Sequence, residues 1–223
     1  MGKDKLKRFE DIARFQNVFE YTDFEDELTP KSKWNEEIFE NENPIVLELA
    51  CGKGEYTIFQ AERNPQRNYI GIDLKGNRIW KGAKYALKKK MENVRFLRML
   101  IDHLPDYFEE DEIDEIWITF PDPHLRGSRS KQRLTSPKFL EIYRQVLKPG
   151  GRIHLKTDSD HLFEFTLETI DEEGCKIINK VDDIYKEEPE NELLTHKTFY
   201  EKKHLEAGKT IHYVAFQLNR ELH

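Results

Sequence analysis

Val46-Leu47-Glu48-Leu49-Ala50-Cys51-Gly52-Lys53-Gly54-Glu55, followed by Ile70-Gly71-Ile72-Asp73, reads as an apolar strand carrying one acid, a two-glycine turn, and a second strand ending on a carboxylate. Glycines such as Gly52 and Gly54 let the backbone come close to a ligand. A carboxylate at the end of the neighbouring strand, here Asp73, can accept both hydroxyls of a ribose. Together they outline a nucleoside site. A dinucleotide site would want a third glycine where this chain has Thr57. A fixed anion at Glu48 suits a cationic ligand better than a pyrophosphate, and S-adenosylmethionine, with an ammonium, a sulfonium and no phosphate, has the matching charge.

Outward from this stretch the chain alternates strand and helix. Strands are expected near 45–50, 68–73, 94–100, 115–120, 151–156, 176–182 and 211–218, with helices between them. The helix before the fifth strand is well signalled. Ser136 is placed to cap it and Pro137 fits its first turn. Phe139, Ile142, Tyr143, Val146 and Leu147 form its stripe, and Lys148-Pro149-Gly150-Gly151 stops it. This order predicts an α/β fold, a doubly wound Rossmann-like sheet of seven mostly parallel strands with helices on both faces. Ligands of such sheets bind at the carboxyl ends of the strands. One domain is expected over 34–223. Residues 1–33 read as a polar arm whose Phe9, Ile12, Phe15 and Phe19 recur at near-helical spacing and can dock on that domain.

At 223 residues the chain can bury one sizeable core. Hydrophobic residues make up 37% and charged residues 35%, and no apolar run approaches the ~20 residues of a membrane span. Met1-Gly2-Lys3-Asp4-Lys5 lacks the apolar region of a signal peptide, so the cytoplasm is the expected compartment and no membrane partner is expected. Cys51 and Cys175 are too few and too far apart for a disulfide framework or a zinc site, and no metal is expected.

The formal net charge of −7 argues against general nucleic-acid affinity, but the charges are segregated. Lys75, Arg78, Lys81, Lys84, Lys88, Lys89, Lys90, Arg95 and Arg98 face only Glu92 in their window. That run, along a helix expected from Asn77 to Lys90, reads either as a solvated face or as a surface for a polyanion. Arg126, Arg129, Lys131 and Arg133 form a second cluster in a Gly/Ser loop after a strand, where function collects.

An acid lies at or beside the end of each of the first five strands: Glu48, Asp73, Asp102, Asp122 and Asp158. Asp102 is placed to accept from an adenine amino group. Asp122, between Pro121 and Pro123 and just before the basic loop, reads as an acceptor for a guanine or amine next to a phosphate clamp. Among the histidines, His103, His161 and His196 read as surface or structural, whereas His124 lies on the rim.

Glu48-Leu49-Ala50-Cys51-Gly52-Lys53-Gly54, Gly71-Ile72-Asp73, Phe120-Pro121-Asp122-Pro123 with its basic tail, Leu147-Lys148-Pro149-Gly150-Gly151, Thr157-Asp158 and Thr198-Phe199-Tyr200-Glu201 together resemble the bacterial tRNA (guanine-N7)-methyltransferases, class I S-adenosylmethionine-dependent enzymes, over nearly the whole chain. The glycine turn is common to most methyltransferases; the Pro-Asp-Pro segment with its basic run and the Thr-x-Tyr-Glu segment are far more specific. The resemblance implies methylation of N7 of a variable-loop guanosine in tRNA, with S-adenosylhomocysteine as the second product. It implies cofactor contacts from Glu48, Gly52, Gly54, Asp73, Asp102 and Asp122, with Asp122 also the catalytic-site acid. It implies tRNA contacts from Arg126, Asp158, Thr198, Phe199, Tyr200 and Glu201. The family usually has Trp, Lys and Ala where this chain has His124, Arg126 and His103.

Guanine N7 carries an exposed lone pair and can attack the sulfonium methyl directly, so no strong general base is required. This fits a site rich in carboxylates without a Ser-His-Asp or Cys-His arrangement. A noncatalytic RNA-binding relative would lose Asp73 or the glycines, a small-molecule methyltransferase would not need the basic loop, and an adenine or cytosine amino-methyltransferase would prefer Pro-Pro-aromatic after the fourth strand. A monomer and a homodimer are both compatible with the sequence.

Overall fold

The structure, a computed structural model, describes residues 2–20 and 30–219; Met1 and residues 21–29 of the expected arm lie outside it. Eight strands form one sheet: β1 Val18–Glu20, β2 Ile45–Leu49, β3 Asn68–Ile72, β4 Val94–Arg98, β5 Ile113–Thr119, β6 Leu147–Thr157, β7 Lys176–Val181 and β8 His212–Gln217. Their order is β1-β4-β3-β2-β5-β6-β8-β7. All neighbours run parallel except β8, which is antiparallel to β6 and β7. The chain winds outward from β2 in both directions, so the switch point lies between β2 and β5 and a crevice opens there at the strands' carboxyl ends. The helices are α1 Gly2–Ile12, α2 Glu55–Arg63, α3 Gly76–Lys89, α4 Leu104–Tyr107, α5 Pro137–Arg144, α6 Asp160–Glu172, α7 Ile184–Glu187, α8 Glu192–Thr195 and α9 Phe199–Glu206, with a π-helical turn at Trp34–Phe39.

Strand alternation divides the core between the two faces of the sheet. Ile45, Leu47 and Leu49 of β2 pack with Trp34, Phe139, Tyr143 and Leu162 on one face. Val46 of the same strand packs on the other face with Tyr56, Phe59, Ile79, Phe96 and Trp117. Glu48 has the parity of Val46 and is therefore the one acid that β2 aims at the layer holding α2 and α3.

The expectation of seven strands is corrected to eight, because the extra strand comes from within the N-terminal arm. The helical spacing of its aromatic residues persists only to Ile12, and Val18–Glu20 instead pair in parallel with Phe96–Arg98. Asn17 makes this possible: its carbonyl accepts the Phe96 N–H at 2.8 Å and its side-chain amide donates to the Ala83 carbonyl at 3.0 Å. α1 then lies on the start of α3, so closely that a Cβ added at Gly76 would sit 2.5 Å from Ile12 Cδ1. Two local readings also change. Ser136 occupies the cap position of α5, but its hydroxyl donates to the Lys131 carbonyl at 3.2 Å instead of capping. The helix ends at Arg144, before the Lys-Pro-Gly-Gly stop, because Val146 and Leu147 leave it to join β5, the Val146 carbonyl accepting the Ile113 N–H at 2.9 Å.

Ile12 is 1% exposed. If α1 belongs to the cooperative unit, Ile12→Ala lowers stability by about 2–5 kcal/mol, read as a shift of the urea midpoint at constant m-value; an unchanged midpoint would mean that α1 frays independently of the domain.

Candidate active site

β2 delivers the chain into a turn whose backbone is left-handed at Ala50, Gly52 and Gly54, with φ of 56°, 58° and 67°. Gly54 needs its missing side chain twice over, since it precedes α2 at positive φ and a Cβ there would lie 2.5 Å from the Phe96 ring. Gly52 shares the positive φ but not the steric reason. An added Cβ would meet nothing nearer than the Ala50 carbonyl at 4.0 Å, so the space beside it is open.

Glu48 is 5% exposed. One carboxylate oxygen accepts the Thr57 N–H at 2.7 Å and the Thr57 hydroxyl in a short contact, and the other accepts the Thr119 hydroxyl at 2.7 Å. Burial outweighs these hydrogen bonds and pushes the carboxyl up from 4.5 to about 7. Thr57, which breaks the dinucleotide pattern, is thus the residue that anchors the acid. Asp73 holds the turn from the other side: one oxygen accepts the Gly52 N–H at 2.9 Å and the other the Lys75 N–H at 2.7 Å. Each oxygen keeps a lone pair for a further donor.

Glu48, Gly52, Thr119, Phe120, Thr198 and Tyr200 are among the residues lining one crevice, with Lys53 and Arg78 at its sides. Its free volume is about 70 Å³, against ~300–1,000 Å³ for pockets that enclose a drug-sized ligand. The crevice by itself is thus smaller than a nucleoside, and Tyr200 on its wall is substantially exposed. The donor set fits S-adenosylmethionine: a buried anion for its cationic end, an acceptor for its ribose, and a glycine that leaves space for its approach.

Asp102 and Asp122 stand on the rim, outside the crevice wall. Asp102 is paired in a short contact with Lys138 of α5. The Asp122 side chain is 74% exposed; one of its oxygens accepts the His124 N–H at 3.0 Å, an Asx turn that stiffens the Pro-Asp-Pro segment. Left-handed Phe120 (φ 50°) and His124 (φ 41°) bracket that segment. Both are non-glycine residues in a costly region of backbone space, as at sites that hold a side chain in one orientation. Of the four cations expected to form one clamp, Arg126, Arg129 and Lys131 are exposed, whereas Arg133 is buried. Arg133 donates to the Pro123 carbonyl at 3.1 Å, the His124 carbonyl at 3.0 Å and His161 Nε2 at 2.7 Å. With three of its N–H groups engaged in this way, the buried Arg133 supports the rim from inside and does not stand with the exposed cations of the loop.

Thr198, Phe199 and Tyr200 reach the crevice mouth at the start of α9, where Lys53 Nζ lies 3.6 Å from the Phe199 ring centroid. Thr198 and Glu201 form a capping box. Glu201, implied as a tRNA contact, is fully enclosed: it pairs with the equally buried Lys156 at 2.8 Å and accepts the Tyr185 hydroxyl at 2.8 Å. Its place is beneath the site, where it fastens α9 to β6. Burial draws the Lys156 ammonium downward and the Glu201 carboxylate opposes that shift. Asp158 is likewise occupied, by His204 at 3.1 Å and by Lys209 in a short contact. Sequence reading missed Thr57, Thr119 and Lys156. A lysine two residues on from His154, in the stretch Ile153–Thr157 that the sheet buries, was the one available signal that a buried partner had to exist. Among the described residues no group of three or more His, Cys, Asp or Glu could hold a metal ion, and no helix is long and apolar enough to cross a membrane.

The mostly parallel sheet, the glycine turn and the acid-lined crevice define a class I methyltransferase. The solved structures agree at the level of fold: the 16S rRNA methyltransferase KamB superposes with a TM-score of 0.63 at 18% identity, covering 82% of this chain and 92% of that one. A 16S rRNA (adenine(1408)-N(1))-methyltransferase from Catenulisporales acidiphilia, solved with cosubstrate SAM, superposes with a TM-score of 0.62 at 15% identity over 88% of this chain and 94% of the other. The family described as "Putative methyltransferase" matches residues 42–214. A tRNA (guanine-N(7)-)-methyltransferase of Christiangramia forsetii is 47% identical over 97% of this chain and 99% of its own length, and one of Bacteroides fragilis is 43% identical over 99% and 88%. The chain belongs to the tRNA (guanine-N7)-methyltransferase family.

Two consequences can be measured. Because the Glu48 carboxyl titrates near 7 in the free protein, the folded state holds a proton there between about 4.5 and 7 that the unfolded chain does not. This group's contribution to stability is therefore lost as pH rises through that window. A cation in the crevice requires the ionised form. Calorimetric affinity for S-adenosylmethionine then rises with pH below about 7, by at most ~10-fold per unit, and levels off above it; Glu48→Gln flattens the profile, and a variant with the wild-type slope would assign the titration elsewhere. Glu201→Ala leaves the Lys156 charge buried and unpaired, so it costs about 3–5 kcal/mol in urea unfolding, far more than the loss of an exposed RNA contact would.

Proposed function

We propose that this chain transfers the methyl group of S-adenosylmethionine to N7 of a guanine in tRNA, with the guanosine of the variable loop as its target. The observation that carries this reading is the 47% identity to a curated tRNA (guanine-N(7)-)-methyltransferase over 97% of the chain. The site supports it with a buried anion, a ribose acceptor and an open glycine on one side of the rim, and exposed cations on the other.

The reaction is a direct displacement. The N7 lone pair forms a bond to the methyl carbon, the sulfur–carbon bond breaks, and its electron pair returns to sulfur as a neutral thioether. The positive charge passes to the purine and no proton leaves N7. In this chain the work is alignment and electrostatics. Glu48, Gly52 and Asp73 hold the donor; Gly54 and Asp102, the latter freed from Lys138, complete the cofactor contacts. Asp122 is the acceptor for the guanine edge and lies near the charge that develops on the ring. Covering its exposed carboxylate with the base strengthens that attraction by excluding water. Arg126 takes phosphate, and Thr198, Phe199 and Tyr200 position the base from the opposite wall.

Mass spectrometry of nucleosides from tRNA incubated with the protein and cofactor tests the reaction: 7-methylguanosine is expected, and its absence together with another methylated nucleoside would overturn the reading. For Asp122, the single-turnover rate at saturating tRNA and cofactor falls in Asp122→Ala beyond any change in affinity; a normal rate at saturation would leave it a binding residue only.

A further inference from the structure

Helix α3 carries Arg78, Lys81, Lys84, Lys88 and Lys89 and no acid, in a chain whose net charge is −7. Lys81, Lys84 and Lys88 follow one another at three- and four-residue steps and so share a face. Like charges at that spacing weaken a helix, so helix stability does not account for the stripe. It borders a groove of about 500 Å³ between α2 and α3. The floor is apolar and aromatic, with Phe59, Trp80 and Tyr85 among its residues, and four lysines, Lys53, Lys81, Lys84 and Lys88, line it.

The two glutamates of the groove offset part of this charge and leave the four lysines in excess. Glu55 pairs with Lys81 at 2.7 Å and accepts the Phe199 N–H at 2.7 Å; Glu62 accepts the Tyr85 hydroxyl at 2.8 Å. Lys84 and Lys88 are exposed, and Lys84 Nζ lies 4.5 Å from the Trp80 ring centroid. The groove is continuous with the active-site crevice, since Lys53 and Glu55 line both. From Arg78 at the crevice to Lys88 at the far end the stripe extends about 15 Å along the helix.

We propose that the α2–α3 groove is a second tRNA surface, holding the single-stranded nucleotides next to the target guanosine as they leave the crevice. Lys84 and Lys88 contact their phosphates and the Tyr85 ring supports a base. A lysine-lined track with aromatic side chains is the arrangement by which proteins hold single strands without reading their sequence. With the exposed Arg126, Arg129 and Lys131 of the basic loop, this surface would give the polynucleotide two cationic contacts. The inference rests on tRNA being the substrate.

The test uses the full chain with Lys84→Ala and Lys88→Ala combined, Arg126→Ala, Arg129→Ala and Lys131→Ala combined, and the unaltered protein. tRNA affinity is followed by fluorescence anisotropy across a salt series, with S-adenosylmethionine affinity measured by calorimetry and the urea midpoint as a check on folding. The groove variant is expected to bind tRNA more weakly and to lose about 1.4 from the slope of log affinity against log salt, ~0.7 for each single-strand phosphate contact removed, with cofactor affinity and midpoint unchanged. Lys84→Glu with Lys88→Glu should weaken tRNA further at low salt. An unchanged slope and affinity in the groove variants, while the loop variant loses both, would overturn the proposal and leave the tRNA reading intact. Absence of tRNA binding by the unaltered protein, with cofactor binding retained, would overturn both.

Discussion

Glu48 is enclosed between the start of α2 and the end of β5, with Thr57 holding one oxygen and Thr119 the other. These contacts join the two elements that flank the switch point, so the position of the acid and the shape of the crevice are one constraint. Enclosure also raises the carboxyl to about 7, so its ionisation is sensitive to a neighbouring cation. An exposed carboxylate could hold the same ligand, but it would be screened by water and would not couple binding to the packing of the sheet. Asp73 repeats the principle with less burial, tying Gly52 to β3 through its N–H and so setting the distance between the two strand ends.

Around this point the structure separates supporting charges from presented ones. Lys156 with Glu201, and Arg133 with the carbonyls of Pro123 and His124, lie beneath the surface and hold the two walls of the site, α9 and the Pro-Asp-Pro rim. Asp122, Arg126, Arg129 and Lys131 remain exposed. The division follows from desolvation: a charge taken out of water is tolerated when it is paired or hydrogen-bonded, and the groups so engaged serve the fold. It also explains how a protein of net charge −7 can serve a polyanion. The acids cluster in 106–115 and 182–192, while the basic loop and α3 carry cations.

The N-terminal segment shows why a fold can be right in class and differ in its edge. Val18–Glu20 are too short to announce a strand, and their pairing with β4 depends on Asn17 meeting Phe96 and Ala83, residues that come close only when the sheet and α3 are built. The same applies to Ser136, whose hydroxyl donates to the Lys131 carbonyl and makes no capping bond.

By itself the sequence determined what is local or periodic: the order of strands and helices, the glycine turn, the acids at the strand ends, the prolines around Asp122, and the family to which these motifs belong. Each depends on neighbours in the chain, where backbone sterics and the two-residue and 3.6-residue periods operate. Only the tertiary structure decided which charges are buried and which stay exposed. Glu201 and Arg133 are as polar in the sequence as Asp122 and Arg126, and they differ because Lys156, 45 positions before Glu201, and His161, 28 positions after Arg133, are brought beside them by packing. Burial and pairing are set by distance in space, and a linear motif does not contain that distance.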